Sequence, residues 1–196
     1  MATIGMDHLV YAKITEDAQG LEIYATPQIL AKAMKADLSI ELAEADLFAD
    51  DALAHAIKLF KSGKISLGVE DIGIAVAADL TGASVDDNGV LVAASEDDGC
   101  LVAVGFRALK PNGKYRLFWL YRVKFAVPST NLETKGSNIQ FQTPTIEGLI
   151  MRRNRPDASG KHPWKAGVTE GDPGVADVIT AWFKNVYEPS YATNSE

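Results

Sequence analysis

Residues 101–125, LVAVGFRALKPNGKYRLFWLYRVKF, constrain the fold more than any other stretch. The first arm, 101–107, alternates. Val102, Val104 and Phe106 fall on one face, and Leu101, Ala103 and Gly105 on the other. Lys110-Pro111-Asn112-Gly113 has turn chemistry: proline presets φ, asparagine tolerates unusual backbone angles, and glycine supplies φ > 0. The second arm, 115–125, sets Tyr115, Leu117, Trp119, Tyr121, Val123 and Phe125 on one face. Arg116, Phe118, Leu120, Arg122 and Lys124 lie on the other. The middle of this arm is apolar on both sides and its ends are polar on one. That is a strand sandwiched at its centre and wetted at its tips.

Other segments repeat the period-2 signal. Residues 9–13, 33–42, 64–70 and 164–169 read as strands, and 24–28, with Pro27, as extended chain. Asp86-Asp87-Asn88-Gly89 is a turn joining short strands at 84–85 and 90–93. Residues 138–152 read as a long strand that Pro144, lacking an N–H, must bulge or place at an edge. Two helices are expected. One is short, within 72–81, burying Val76, Ala77 and Leu80. The other is amphipathic and C-terminal, with Asp172 as N-cap, Pro173 in the first turn, and a stripe of Val175, Val178, Ile179, Trp182, Phe183 and Val186 ending near Tyr187. The fold class is mainly β, a β-sandwich or barrel-like body with these helices. It forms a single domain over 1–189, with a flexible tail at 190–196.

Residues 43–61, AEADLFADDALAHAIKLFK, admit two readings. Composition favours an amphipathic helix with Leu53, Ile57 and Phe60 on one stripe; the alternative is an extended acidic excursion between two strands.

The charge balance, 26 acidic against 19 basic residues and net −7, opposes affinity for nucleic acid or an anionic membrane. Cys100 is the only cysteine, so no intrachain disulfide can form, and a reducing compartment is the simplest setting. The N-terminus lacks a secretory pattern, and no apolar run approaches the ~18 residues of a membrane span. Each Gly-Lys pair lacks the upstream glycine of a phosphate loop, and there is no Gly-x-Ser-x-Gly elbow. His8, His55 and His162 are not at metal-ligand spacing, and no base adjoins Cys100. The acidic turns at 86–89 and 96–99 lack the ligand alternation of a calcium loop. Arg152-Arg153-Asn154-Arg155 reads first as a solvated strand end, and second as a partner for the acidic 46–51 stretch of another subunit. No catalytic, cofactor-binding or metal-binding residues are expected, and a non-enzymatic binding or structural role is.

Taken in order along the chain, several words resemble the major tail protein, or tail-tube protein, of non-contractile long-tailed bacteriophages (siphophages), particularly those of Gram-positive hosts. They are Ile4-Gly5, Leu9-Val10-Tyr11-Ala12, Phe48-Ala49-Asp50-Asp51, Leu67-Gly68-Val69, Asn88-Gly89-Val90-Leu91, Gly105-Phe106-Arg107-Ala108-Leu109, Asn112-Gly113-Lys114-Tyr115-Arg116, Trp119-Leu120-Tyr121 and Trp182-Phe183. The run Thr134-Lys135-Gly136, leading to Ile139-Gln140-Phe141-Gln142-Thr143-Pro144, adds to them. The resemblance implies a structural virion protein that self-assembles into hexameric rings. The rings stack into a tail tube through which DNA passes without specific binding. It implies the tape measure protein and other tail proteins as partners, no membrane, and assembly in the bacterial host cytoplasm.

For the uncertain segment, the resemblance implies a long inter-strand arm around 43–62 that reaches a neighbouring subunit. Leu47, Phe48, Ala49, Asp50 and Asp51 are its extended portion, and 52–61 stays open between helix and arm. In such a ring one face of the second hairpin arm would meet the next subunit, which nominates Phe118 and Leu120 as ring-interface positions. The competing function is a β-sandwich carbohydrate- or host-surface-binding module of a phage tail. It would need an exposed platform drawn from Tyr115, Trp119, Tyr121 and Trp164.

Overall fold

The computed structural model describes residues 3–49, 52–128 and 143–190. Eleven strands and two short helices are found among them. The opening hairpin is β8 (Leu101–Leu109) and β9 (Tyr115–Phe125), the two strands the alternation predicts. At its turn Gly113 adopts φ 76°, and Lys110 N–H donates to the Lys114 carbonyl. The same turn recurs at 17–20, 86–89 and 157–160. In each, an aspartate opens the turn and a glycine with φ between 75° and 80° ends it. The aspartate carboxylate accepts backbone N–H bonds from the turn: Asp17 from Gln19 and Leu21, Asp86 from Asn88 and Val90, Asp157 from Ser159 and Lys161. A short side chain satisfies the loop amides, and glycine takes the left-handed position at no steric cost.

β1 (Gly5–Glu16) lies beside β8, and β9 lies on the other side of β8. The C-terminal half of β9 pairs with β10 (Thr145–Met151), its N-terminal half with β11 (Lys165–Thr169). β10 pairs with β5 (Ala52–Val69), and β5 with β4 (Ala33–Ala49). At the other end of this path, β1 pairs with β2 (Glu22–Tyr24) and β3 (Gln28–Ala31). β3 and β4 are separated by Lys32 alone, whose carbonyl accepts the Glu70 N–H. One nearly continuous run of chain therefore bonds β1 with its start and β5 with its remainder, and the sheet curls shut as a barrel.

The barrel interior is filled by Leu9, Tyr11, Ile65, Leu67, Val102, Val104, Leu120, Val123, Ile146 and Ile150, among others. The helix α1 (Ile74–Thr81) adds Leu80 to this core. It is pinned by Asp79, whose carboxylate accepts from the Tyr11 hydroxyl at 2.8 Å and pairs with Lys13 at 2.7 Å. Burial, then the bond to Asp79, pushes the Tyr11 hydroxyl well above its ordinary pKa. A second core lies outside the barrel wall, where Val10, Ala12, Ala103, Leu117, Trp119 and Tyr121 are covered by Trp182 and Val186. The short hairpin of β6 (Ser84–Val85) and β7 (Leu91–Val92) stands apart as its own two-stranded sheet.

Four expectations change. The stripe from Tyr115 to Phe125 does not stay on one face. Val104 pairs with Leu120 but Val102 with Val123, so β9 spends an extra residue at Tyr121–Arg122. This bulge turns the strand over. Before it, Leu117, Trp119 and Tyr121 face the outer core; after it, Val123 and Phe125 join Leu120 in the barrel.

The strand expected over 138–152 begins at Thr145, because Pro144 has no N–H to give a ladder. Residues 138–142 lie outside the described ones.

The C-terminal helix, α2, spans only Ala176–Ala181. Its N-cap is Val175 rather than Asp172, because Gly174 at φ 78° keeps 172–174 in a turn. It stops early because the Trp182 carbonyl accepts the Trp119 indole N–H at 2.9 Å, and the backbone there tightens to bonds three residues apart. The stripe still works, since Trp182 and Val186 reach the outer core without helix between them.

Finally, 43–61 holds no helix. Apart from 50–51, which lie outside the described residues, it is strand in β4 and β5, settling the open 52–61 segment as extended.

Candidate assembly surface

The β4–β5 hairpin divides into two parts. Residues 62–69 of β5 are flanked by β4 and β10 and belong to the barrel. At Lys61 a bulge shifts the register, from Glu41 opposite Ser62 to Leu42 opposite Phe60. Beyond it, 42–49 and 52–60 pair only with each other among the described residues. Eight residues at about 3.4 Å each make a two-stranded ribbon about 27 Å long projecting from the barrel.

The strand pleat sorts the ribbon's side chains. Ala43 opposite Leu59 and Ala45 opposite Ile57 form one face. Leu42 opposite Phe60 and Glu44 opposite Lys58 form the other, with the last pair joined as an ion pair at 3.2 Å. Phe60 stacks on Trp164 at 4.5 Å, which ties the ribbon's base to the barrel. Three large apolar side chains among the described ones are uncovered: Leu42 is 46% exposed, Ile57 54% and Leu59 62%. A two-stranded ribbon cannot bury its own faces, so these side chains meet water unless something covers them.

Of the nominated arm residues, Leu47, Phe48 and Ala49 lie on β4, paired with His55, Leu53 and Ala52. Asp50 and Asp51 lie outside the described residues. The two strand positions part company. Leu120 has no exposed surface and sits in the barrel interior, so it is a core residue within one chain. Phe118 lies beyond the packed centre, half-buried, with Phe106 at 5.1 Å. The bulge and the barrel closure make this difference, and neither shows in the alternation. Trp119 and Tyr121, named for a glycan platform, are fully buried.

Buried ionic groups are the functional features the sequence reading passed over. Arg153 is not part of a solvated cluster. It is buried, its Nη1 donates to Glu188 at 2.7 Å, and its guanidinium lies 4.9 Å from the Tyr121 ring. Glu22, wholly buried, accepts from Arg122 at 3.0 Å and from the backbone N–H groups of Asn154 and Arg155 at 2.6 Å. These contacts clamp loop 152–155 between β2 and the C-terminal segment. Glutamate on a three-residue strand gave no signal of this, because its partners lie 100 or more residues away.

A cleft of about 600 Å³ runs between α1, the β7 end and Pro144. Its two carboxylates serve their own loops, Asp71 accepting from Ile72 N–H and Asp97 from Ala94 N–H. Among the described residues no three His, Cys, Asp or Glu side chains gather as metal ligands, and no helix is long and apolar enough to cross a membrane.

No family model matches the chain, and no curated protein does. Among solved structures, one similar chain is from the tube-terminating cap of the anti-feeding prophage. It has a TM-score of 0.45 and 6% identity, over 86% of this chain and 93% of that one. Another is from the six-fold symmetrised baseplate of the same particle, with a TM-score of 0.35 and 8% identity over 86% and 97%. Likeness at this level carries no argument about function.

Proposed function

We propose that the chain is a structural protein of a phage tail that assembles with copies of itself into rings, and that the rings stack as a tube. The carrying observation is the ribbon, a paired, well-formed projection whose Leu42, Ile57 and Leu59 have no cover within one chain. Order without burial supports a surface completed by a partner.

The finer reading follows the sequence resemblance. It is a siphophage tail-tube protein in hexameric rings, with tape measure and other tail proteins as neighbours. DNA transits a lumen whose wall does not hold it, and the protein resides in the virion tail after assembly in the host cytoplasm. The role is structural rather than catalytic. Net −7 supports a conduit, since a basic wall would bind DNA through counterion release.

Electron microscopy and sedimentation of concentrated protein test the proposal. Rings or tubes are the expected result. A monomer at every concentration and salt would overturn it. Binding to cell-wall glycans by a purely monomeric protein would favour the carbohydrate-binding alternative, although burial of Trp119 and Tyr121 leaves its platform only Tyr115 and Trp164.

A further inference from the structure

Charge is divided unevenly along the chain. Residues 65–106 contain no lysine, arginine or histidine, yet carry eight acidic residues between Glu70 and Asp98. Three of these are paired from outside the stretch: Glu70 with Lys32 at 2.9 Å, Asp79 with Lys13 at 2.7 Å, and Asp98 with Lys124. The other five, Asp71, Asp86, Asp87, Glu96 and Asp97, have no cationic partner among the described residues. Uncompensated negative charge is thus gathered on one lobe, made of α1, the β6–β7 hairpin and loop 93–100.

The cleft of about 600 Å³ opens in this lobe, and Asp71 and Asp97 line it. Each gives one carboxylate oxygen to a loop amide and keeps the other without a partner among the described residues. Most of the remaining lining is apolar, with Ile72, Ala77, Ala83, Leu91, Val127 and Pro144, and no basic side chain is among the described lining residues. Val127 in the wall, and Val90 and Val92 on either side of Leu91, are exposed. The volume falls in the range of ligand-binding clefts, ~300–1,000 Å³.

We propose that this cleft docks a segment of a different protein, one that combines aliphatic side chains with lysine or arginine. The aliphatic groups fill the space between Ala77, Ala83 and Leu91. The cations answer Asp71, Asp97 and the unpaired charge around them, which steers encounter and selects the partner. An acidic apolar segment would meet the same carboxylates and be repelled. A second copy of the chain fits less well. Two copies at net −7 repel, and the chain's own run of this kind, Ile57-Lys58-Leu59, has its lysine paired with Glu44 at 3.2 Å. The inference goes beyond the self-assembly proposed above and does not depend on it.

The probe is a fluorescein-labelled nonapeptide alternating leucine with lysine, read by fluorescence anisotropy at low salt. Two versions accompany it, one with serine for leucine and one with glutamate for lysine. Wild-type protein should bind the first peptide and hold the other two at least ~10-fold more weakly. Asp71→Asn with Asp97→Asn removes two charges but leaves an oxygen to accept each loop N–H. Circular dichroism and melting temperature should therefore hold while affinity falls roughly 5-fold. Ala93→Trp, at an exposed position of the lining, should fill the cleft and weaken binding at least ~10-fold. Equal binding of the three peptides would overturn the proposal, as would folded variants that bind like wild type. Self-association that Ala93→Trp abolishes would overturn it by giving the cleft to a second copy. Peptide binding seen only after residues 129–142 are replaced by a glycine-serine linker would overturn it by giving the cleft to this chain's own segment.

Discussion

The two long hairpins are built alike and serve opposite ends. Each is an antiparallel pair, but β8–β9 is covered on both faces, while beyond Phe60 at its base the β4–β5 ribbon leaves Leu42, Ile57 and Leu59 uncovered. In β9 even the alternation is spent on burial, because the bulge at Tyr121–Arg122 lets one strand serve the barrel and the outer core in turn. In the ribbon, alternation sorts side chains onto two faces, and Leu42, Ile57 and Leu59 stay in solvent. A strand pair thus has no fixed role. Its neighbours decide whether the same period-2 pattern becomes core or contact surface.

The contrast can be broken most forcefully at Trp119. Its ring fills the outer core and its indole N–H holds the C-terminal segment. Trp119→Ala should cost ~3–5 kcal/mol, read from denaturant unfolding. A loss below ~1 kcal/mol would mean that β9 is not doubly buried in any energetic sense. Next comes Gly105, opposite that ring. A Cβ there would sit 2.9 Å from two ring carbons, so Gly105→Ala should cost ~1–3 kcal/mol through overpacking. Unchanged stability would show that the ring has room to move. The smallest expected effect on folding is in the ribbon. Ile57→Ser with Leu59→Ser should leave monomer stability within ~0.5 kcal/mol and abolish assembly, seen by sedimentation. A large loss of stability would show that the ribbon belongs to the folded core, and the comparison would collapse.

The sequence made some of this plain and hid the rest for physical reasons. Hairpin β8–β9 is legible because alternation and Pro111-Asn112-Gly113 are both local signals. The aspartate-to-glycine turns are legible for the same reason. Residues 52–61 misled in part because alanine, leucine and lysine favour helix in isolation, whereas pairing with β4 keeps the chain extended. Leu120 was nominated as an interface residue because counting residues along a strand cannot reveal a bulge or a closed barrel. The true stop of α2 depends on Trp119, 63 residues away, taking one carbonyl. Arg153 read as solvated and Glu22 gave no signal because each is buried against a distant partner, Glu188 and Arg122 respectively. For the assembly surface, backbone position was readable at Leu47, Phe48 and Ala49, while the exposed triad of Leu42, Ile57 and Leu59 emerged only with the fold.

Barrel closure through Lys32 also sets a timetable. The β4–β5 pairing joins residues close in the chain, whereas the β1–β8 seam joins Gly5 to Leu109. Local pairs form quickly and distant ones slowly, because the intervening chain must be ordered first. A newly made chain therefore raises its exposed ribbon before its barrel is shut. Under the proposed self-assembly, half-folded copies that meet at that ribbon compete with closure of the β1–β8 seam.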